Sequence, residues 1–219
     1  MKVLIIGATG VIGSAIAKGL SDNHKVIPVG HSSGDLRVDI TDTNSITQLF
    51  KTVGRVDAVV SAAGEMFTGP LDTMTEEQMK FGFMHKLLGQ LNVARLAIPF
   101  LNDGGSITLS SGLASRIHRP GWSVLSSVNI GIEIFSTVAA LEMPRGTRIN
   151  VVSPGAVTET LAKWGGSAPL PVSIGTPAAE VALAYIGLVE GTANGTVVDV
   201  GGVGDDSDML HTETDLLET

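Results

Sequence analysis

Apolar and polar residues are arranged along this chain in two patterns: short apolar runs, and longer segments with apolar residues at helical spacing. The runs predict seven strands, at residues 2–6, 25–29, 36–39, 56–60, 105–110, 148–153 and 196–200. The segments between them predict helices at residues 11–21, 43–51, 76–101, 122–141 and 177–190. Strands that alternate with helices form parallel sheets covered on both faces. The pattern therefore predicts an α/β fold with a single doubly wound parallel sheet in three layers.

Two prolines bear on where these elements end. Pro28 has no backbone N–H to donate to a sheet, so we expect the second strand to end near it. Pro99 cannot continue a regular helix, so we expect it to end or kink the long helix at residues 76–101.

Composition and charge limit the classes of function. The chain has 219 residues, of which 43% are hydrophobic, enough for one domain with a sizeable core. Its net charge of −8 argues against binding to a nucleic-acid backbone. No apolar run reaches the roughly 18 residues that span a membrane. The sequence has no cysteine, which excludes disulfides and thiolate chemistry. We expect a cytoplasmic protein that binds neither membranes nor nucleic acids.

The end of the chain differs from the rest in charge. Residues 203–219 carry six Asp or Glu side chains and no Lys or Arg. A run of like charges repels itself and stays in solvent. We therefore expect one domain at residues 1–202, followed by a flexible acidic tail at residues 203–219.

A glycine triplet lies between the first predicted strand and the first predicted helix. Gly7, Gly10 and Gly13 form the pattern Gly-x-x-Gly-x-x-Gly. In a Rossmann fold such glycines permit a tight turn, a close approach of backbone to pyrophosphate, and close helix–strand packing. The N-terminus of the helix also presents free N–H groups to phosphates. The motif predicts a dinucleotide site, and the alternative is a tight turn that has lost its ligand.

Five further segments resemble motifs of one family in the order in which that family carries them. They are Asp39–Ile40, Ser61–Gly64 (S-A-A-G), residues 105–111 (G-S-I-T-L-S-S), residues 149–155 (I-N-V-V-S-P-G) and residues 198–202 (V-D-V-G-G). With the glycine triplet, they make residues 1–202 resemble the short-chain dehydrogenase/reductase family. The resemblance implies a Rossmann-type oxidoreductase that binds a nicotinamide dinucleotide and a small-molecule substrate, and that assembles as a homodimer or homotetramer.

The resemblance also implies which residues contact the cofactor. They are Gly7, Thr9, Gly10, Val11, Ile12, Gly13, His31, Ser32, Ser33, Asp39, Ile40, Ala62, Ala63, Gly64, Pro154, Gly155, Val157 and Thr158. NAD-selective members place a carboxylate at the end of the second strand, where this chain has His31, Ser32 and Ser33. A 2′-phosphate would meet no repulsion there, which favours NADP over NAD. Glu159 stands where the family has a threonine, and a carboxylate there would repel pyrophosphate.

The catalytic pair of the family is missing. Family enzymes carry a tyrosine and, four residues later, a lysine on one helical face. Counting from Ser111, which resembles the family's active-site serine, these positions fall on Val124 and Val128. The one tyrosine of the chain, Tyr185, lies among apolar residues and is expected in the core. Loss of a positioned general acid costs about 10²–10⁴ in rate, so ordinary carbonyl reduction should be impaired.

Three residues are candidates for a replacement catalytic set. Ser111 ends a strand that resembles the family's active-site strand, and His118 follows in the next loop. His85 aligns with an asparagine of the family in the long helix, and its neighbour Lys86 cannot enter the same site because adjacent helical residues diverge by about 100°. No metal site is expected.

Three functions remain open. The first is an NADP-dependent oxidoreductase with an altered catalytic set. The second is an inactive dinucleotide-binding protein that acts as a sensor or partner, and the third is an isomerase or lyase. For assembly, Val124, Val128, Ile132 and Phe135 at helical spacing fit either pairing with a second copy or packing on the sheet.

Overall fold

Seven parallel strands form one sheet in the computed structural model, which describes residues 1–164 and 174–202. The strands are β1 Lys2–Ile6, β2 Lys25–Gly30, β3 Leu36–Arg37, β4 Val56–Ser61, β5 Leu101–Ser110, β6 Arg148–Pro154 and β7 Val197–Val200. Their order across the sheet is β3-β2-β1-β4-β5-β6-β7. Every neighbouring pair is parallel, so all seven strands end at the same edge.

Within the part of the chain that the structure describes, seven α-helices flank this sheet. They are α1 Val11–Leu20, α2 Thr43–Val53, α3 Glu76–Gly82, α4 Gly89–Ala97, α5 Ser123–Ala139, α6 Thr158–Trp164 and α7 Ala178–Glu190. The predicted long helix is interrupted, because a π-helical segment at Phe83–Leu88 joins α3 to α4 and a 3₁₀ turn at Ile98–Phe100 contains Pro99. The predicted doubly wound α/β fold is confirmed, and α6 was not predicted.

Local signals in the sequence explain where two of these helices begin. The Asp42 carboxylate accepts a hydrogen bond from Asn44 N and caps α2. Thr75 and Gln78 form a reciprocal capping box at the start of α3. Each cap satisfies backbone N–H groups that the helix itself leaves free.

The prediction that β2 ends near Pro28 is wrong, because the strand continues to Gly30. Val29 O accepts from the backbone of Gly7 and Ala8 and so faces β1. Successive residues of a strand point their backbone N–H and C=O groups to opposite edges of the strand. Because the carbonyl of Val29 faces β1, the backbone groups of Pro28 face β3. Since β3 pairs only with Val29 and Gly30, no bond is lost at Pro28.

The core is divided between the two faces of the sheet. Successive residues of a strand point to opposite faces. Leu4 and Ile6 of β1 therefore pack on the side of α2, α4 and α5, whereas Val3 and Ile5 pack on the side of α1 and α7. This arrangement gives the predicted three layers.

The apolar stripe predicted on α5 packs on the sheet. Val124, Val128 and Ile132 are buried in the core cluster, and Phe135 packs against that cluster. Among the described residues, no helix is long and apolar enough to cross a membrane. The predicted acidic tail at residues 203–219 lies outside the described residues.

Tyr185 is fully buried on α7, as the sequence predicted. Ser110 Oγ donates to Ser61 O at 2.6 Å, so the Tyr185 hydroxyl donates to Ser110 Oγ at 2.7 Å. Burial raises the pKa of Tyr185, and the bond to Ser110 opposes that shift only in part. The phenol therefore holds α7 against the end of β5 and does not ionise near neutral pH.

Removal of this hydroxyl should reduce stability. We expect Tyr185→Phe to lower the free energy of unfolding by about 1–2 kcal/mol, because the Ser110 hydroxyl loses a buried partner. Tyr185→Leu, which also leaves a cavity, should cost more, about 2–5 kcal/mol. Urea unfolding followed by circular dichroism measures both, and a Tyr185→Phe variant as stable as the parent would contradict the structural role.

Candidate functional site

The carboxyl edge of the sheet contains a crevice where the strand order reverses. β1 lies between β2 and β4, so the chain leaves β1 towards one side of the sheet and later returns on the other. In open parallel sheets, ligands bind in the crevice that such a reversal creates.

The glycine turn after β1 is packed against backbone. Gly7 has φ of +86°, and a Cβ added to it would lie 2.6 Å from Ala62 O in the segment after β4. A Cβ on Gly13 would overlap the carbonyl oxygen of Gly7. Only glycine permits both the left-handed turn and these two approaches.

Helix α1 begins without a side-chain cap. Gly10 occupies the cap position and has no side chain to accept from the first-turn N–H groups of Val11 and Ile12. Both residues are partly exposed, and Thr9 beside them is exposed. An uncapped N-terminus of this kind fits a pyrophosphate.

One cavity gathers several of the predicted cofactor contacts. Gly7, His31, Asp39, Ile40, Ala63 and Gly64 line it together. The Asp39 carboxylate accepts from the N–H and hydroxyl of Thr41, and these bonds lower the pKa of Asp39. An ionised carboxylate at this position can accept hydrogen bonds from the amino group or hydroxyls of an adenosine.

His85 lies in this same cavity and not beside Ser111. Its ring stacks on Phe81, with ring centroids 4.1 Å apart. His118 is exposed in the loop that follows β5. The structure therefore does not bring the two predicted catalytic histidines together with Ser111.

The loop after β2 is exposed at His31, Ser32 and Ser33. Arg37 of β3 donates to Gly34 O at 3.2 Å and so lies against this loop. The sequence alone does not indicate this contact. Arg37 follows the loop along the chain, and its guanidinium reaches the loop only because β3 pairs with β2.

The predicted contacts at the other end of the crevice follow β6. Gly155 N donates to Val200 O, Val157 is buried, and Thr158 begins α6. Glu159 does not oppose a phosphate, because its carboxylate accepts from Ala178 N at 2.9 Å and so stabilises the start of α7. A carboxylate at a helix N-terminus is favourable.

A buried amide fixes the long helical segment against β5. Gln90 of α4 is fully buried, and it both donates to Ser110 O and accepts from Ser110 N. Lys86 lies one turn earlier, within the π-helical segment. Its ammonium donates to Ser111 O at 3.1 Å and to Asn129 Oδ1 at 2.8 Å. Burial lowers the pKa of Lys86 to about 8, and the nearby Glu133 carboxylate opposes the shift.

The Ser111 hydroxyl belongs to a buried carboxylate site. Glu133 of α5 accepts from Ser111 Oγ at 2.6 Å and from Ser153 Oγ at 3.1 Å. Arg116 binds both oxygens of Glu133 and also pairs with Asp199 at 3.1 Å. To hold a substrate oxygen, the Ser111 hydroxyl would have to turn away from Glu133.

Two loops at this edge border an open surface depression of about 510 Å³. Its walls include Pro70 and Leu71 after β4, and Pro120 and Trp122 before α5. Gly69 N donates to Gly121 O and ties the two loops together. The walls are largely apolar and would suit an apolar part of a substrate.

Sequence comparison places the chain in a known family. A family model described as enoyl-(acyl carrier protein) reductase matches residues 7–171. A crystal structure of a protein from Listeria innocua is 40% identical, with a TM-score of 0.85 over 91% of this chain and 99% of that one. The chain belongs to the short-chain dehydrogenase/reductase family. A small-chain dehydrogenase solved in complex with NADPH is 29% identical, with a TM-score of 0.81 over 92% of this chain and 96% of that one.

Curated relatives of this dehydrogenase family match over shorter stretches. An oxidoreductase of Botryotinia fuckeliana is 29% identical over 64% of this chain, and the match spans about half, 53%, of that protein. An uncharacterized oxidoreductase of Methylorubrum extorquens is 29% identical over 71% of this chain and 73% of that protein.

The tyrosine and lysine of the dehydrogenase family would lie on the face of α5 that contacts Ser111. Val124 and Val128 point into the core and not into the site. The polar residues of α5 beside Ser111 are Asn129 and Glu133, and these two are four residues apart, as the family pair is. Neither pair supplies a phenol or an ammonium.

Sequence analysis missed Glu133, Arg116 and Asn129, and it set Lys86 aside in favour of His85. Glu133 could have been suspected, because it is an acidic side chain inside an apolar helical stripe. The orientation of Lys86 could not, because a π-helical turn contains an extra residue and shifts the faces of the residues within and after it.

The glycine turn provides a direct test of the dinucleotide site. We expect Gly13→Ala to lower stability by about 1–3 kcal/mol and to abolish binding of NADPH, because the new methyl overlaps Gly7 backbone. Gly187→Ala in α7 is the matched control, since a Cβ there meets nothing. It should bind NADPH normally and be as stable or slightly more stable. Urea unfolding and nicotinamide fluorescence measure the two effects, and unchanged binding by Gly13→Ala would contradict this site.

Proposed function

We propose that this protein is an NADP(H)-dependent oxidoreductase that interconverts a carbonyl group and an alcohol with a catalytic set other than tyrosine and lysine on α5. The observation that carries the proposal is the arrangement of the crevice. An uncapped helix and a cavity lined by Asp39 and Ile40 at one end lead to a polar cluster around Lys86 and Ser111 at the other. The half-buried Lys86 ammonium beside Ser111 favours an active protein over an inactive one.

The residues present fit a dinucleotide. The first turn of α1 would hold the pyrophosphate, and Asp39 with Ile40 would hold the adenine. Ala63 and Gly64 after β4, and Pro154 and Gly155 after β6, would flank the nicotinamide half. When bound, the cofactor supplies the hydride, and the chain positions the substrate carbonyl and provides its proton.

The polar loop after β2 favours NADP over NAD. His31, Ser32 and Ser33 offer donors to a 2′-phosphate, and Arg37 lies against the same loop. The relative that was solved with NADPH supports this choice. An arginine or a cationic histidine pairs with phosphate by charge-assisted hydrogen bonds.

Cofactor preference follows from this proposal and can be measured by titration with each nucleotide. We expect micromolar binding of NADPH and binding of NADH at least about tenfold weaker, a difference of about 1.4 kcal/mol. His31→Asp should reverse the preference, because a carboxylate repels the 2′-phosphate and accepts from ribose hydroxyls. His31→Ala is the control and should weaken NADPH binding without improving that of NADH. Equal affinity of the parent for both nucleotides would count against the assignment, and binding of neither would remove the oxidoreductase proposal.

A second candidate is an inactive dinucleotide-binding protein. The observation that favours it is the lack of any phenol near Ser111, since the one tyrosine of the chain holds α7 in place. It predicts NADPH binding without turnover of carbonyls. An isomerase or lyase on the same fold would instead remain active after the nucleotide is removed.

We also propose that the protein forms a homodimer through α5 and the preceding helix. Ile130, Ile134 and Val138 are spaced four residues apart on α5 and are exposed, with 59% of Ile134 accessible. Met84 and Leu88 form a second exposed apolar pair on the preceding helical segment. A row of this kind on one face fits a second copy of the same surface.

The dimer surface can be tested by light scattering after size-exclusion chromatography. Ile134→Glu should convert the assembly to monomer, because it buries a charge in an apolar interface. Leu183→Glu, at an equally exposed apolar position on α7, is the control and should assemble as the parent does. If Leu183→Glu also reduces the mass, a second surface takes part, as in a tetramer. A monomeric parent would refute the proposal.

A further inference from the structure

We propose that Lys86 is the proton donor to the substrate oxygen in this protein and that it takes the place of the missing tyrosine. The inference rests on the proposed oxidoreductase function. It concerns a residue that lies on a different helix from the family's catalytic pair and that neither the family motif nor sequence spacing identifies.

The position of Lys86 supports this role. The carbon chain of its side chain passes so close to Gly64 that a Cβ on that glycine would lie 2.7 Å from Lys86 Cγ. Its ammonium then reaches the carbonyl of Ser111 and the amide of Asn129. It thus lies between the segments after β4 and β5 and the face of α5. In the proposed complex, the nicotinamide and the substrate carbonyl would meet at this point.

The hydrogen bonds of Lys86 leave a donor available. An ammonium has three N–H groups. Within residues 1–164 and 174–202, two acceptors hold it, Ser111 O and Asn129 Oδ1. The third N–H can bind a carbonyl oxygen, and the first two fix its direction.

Relative to the family, a lysine and an asparagine have changed places between α5 and the long helical segment. Family enzymes carry the lysine on α5 and an asparagine on the long helix. Here α5 contributes Asn129 and the long helical segment contributes Lys86, and the two contact each other. The exchange keeps an ammonium in the site while its carbon chain enters from the opposite side. We assign Asn129 as a positioning residue for Lys86.

The ionisation of Lys86 suits an acid at neutral pH. Burial lowers its pKa to about 8, so the group is mostly charged at pH 7 yet gives up a proton readily. The charged groups nearby are Glu133, Arg116 and Asp199, and they are paired with one another. The Glu133 carboxylate keeps the pKa of Lys86 from falling further.

Other described groups are less suited to this task. A guanidinium group does not release a proton in proteins, and Arg116 is bound to Glu133. His85 faces the cavity beside Asp39, and His118 is exposed in a loop. Tyr185 is buried, and its hydroxyl is held by Ser110.

The proposed step transfers one hydride and one proton to the carbonyl group. Hydride from NADPH adds to the carbonyl carbon, and the electron pair of the C=O π bond moves to oxygen. That oxygen takes a proton from Lys86, so an O–H bond forms and an N–H bond breaks. NADP⁺, the alcohol and a neutral Lys86 amine result, and solvent water returns a proton to the amine. Alcohol oxidation runs the same step in reverse, with the Lys86 amine as base.

The first test measures the titration of the Lys86 ammonium and its protection by NADP⁺, and it does not require catalytic turnover. Acetic anhydride labelling across pH, read by mass spectrometry of the peptide with residues 81–95, reports the titration of Lys86. We expect half-maximal labelling near pH 8 and strong protection by NADP⁺. Lys80 lies six residues before Lys86, is exposed and pairs with Glu76, so it is the internal reference and should show no protection by NADP⁺. Ordinary titration of Lys86, or no protection by NADP⁺, would overturn the inference even if no probe carbonyl is reduced.

The second test uses variants with NADPH and three probe carbonyls, diacetyl, phenanthrenequinone and benzaldehyde. We expect Lys86→Ala to bind NADPH within about threefold of the parent but to lose about 10²–10⁴ in kcat. Added methylamine should restore part of the rate, which a purely structural role would not allow. Lys86→Arg should keep the charge and the binding but remain slow, because a guanidinium does not release a proton. Reduction by the parent should fall above about pH 8, as the ammonium is lost.

The outcomes separate this inference from the proposed function. A parent that binds no NADPH refutes the proposed function. A parent that binds and reduces a probe, with Lys86→Arg equally fast or Lys86→Ala not rescued by methylamine, refutes only the role of Lys86. Lys80→Ala is the matched control and should behave as the parent in every assay.

Discussion

The parallel pairing of β1 with β2 on one side and β4 on the other is the constraint on which the rest of the site depends. It brings the backbone after β1 against the backbone after β4, where Gly7 and Ala62 lie closer than any side chain would permit. The crevice that opens there is lined by segments from four strands. Six of the predicted cofactor contacts line it, namely Gly7, His31, Asp39, Ile40, Ala63 and Gly64, because parallel strands end at one edge.

A hydrogen-bond and ion-pair network around the buried Glu133 carboxylate fixes the other half of the site. Glu133 lies in the interior, where an unpaired carboxylate would be costly. Arg116, Ser111 and Ser153 supply its hydrogen bonds, and Arg116 continues to Asp199 at the end of β7. This network joins α5 to β5, β6 and β7. It also holds the Ser111 hydroxyl in a structural bond, which distinguishes this serine from one that is free to bind substrate.

One half of the crevice resembles the family more closely than the other half does. The cofactor half keeps the family's backbone shape, because glycine turns and helix N-termini act through main-chain groups that tolerate many side chains. The half around Ser111 depends on individual side chains, and there the ammonium enters from the π-helical segment through Lys86 while α5 contributes Asn129. A scaffold of this kind permits the chemistry to be rearranged without a change in how the dinucleotide is held.

The sequence by itself determined the fold and the location of the cofactor crevice. Strand periodicity, the glycine triplet and the order of the family segments are local signals, and they identified the seven strands and the residues around Gly7, Asp39 and Gly64. Only the tertiary structure decided which side chains meet beside Ser111. The π-helical segment turns Lys86 towards Ser111 and leaves His85 in the cavity beside Asp39, while packing on the sheet buries Val124 and Val128 and directs Asn129 towards Lys86. Glu159 likewise caps α7 because that helix begins beside it in space. These outcomes depend on contacts between residues 19 to 43 positions apart in sequence, for which spacing along the chain carries no signal.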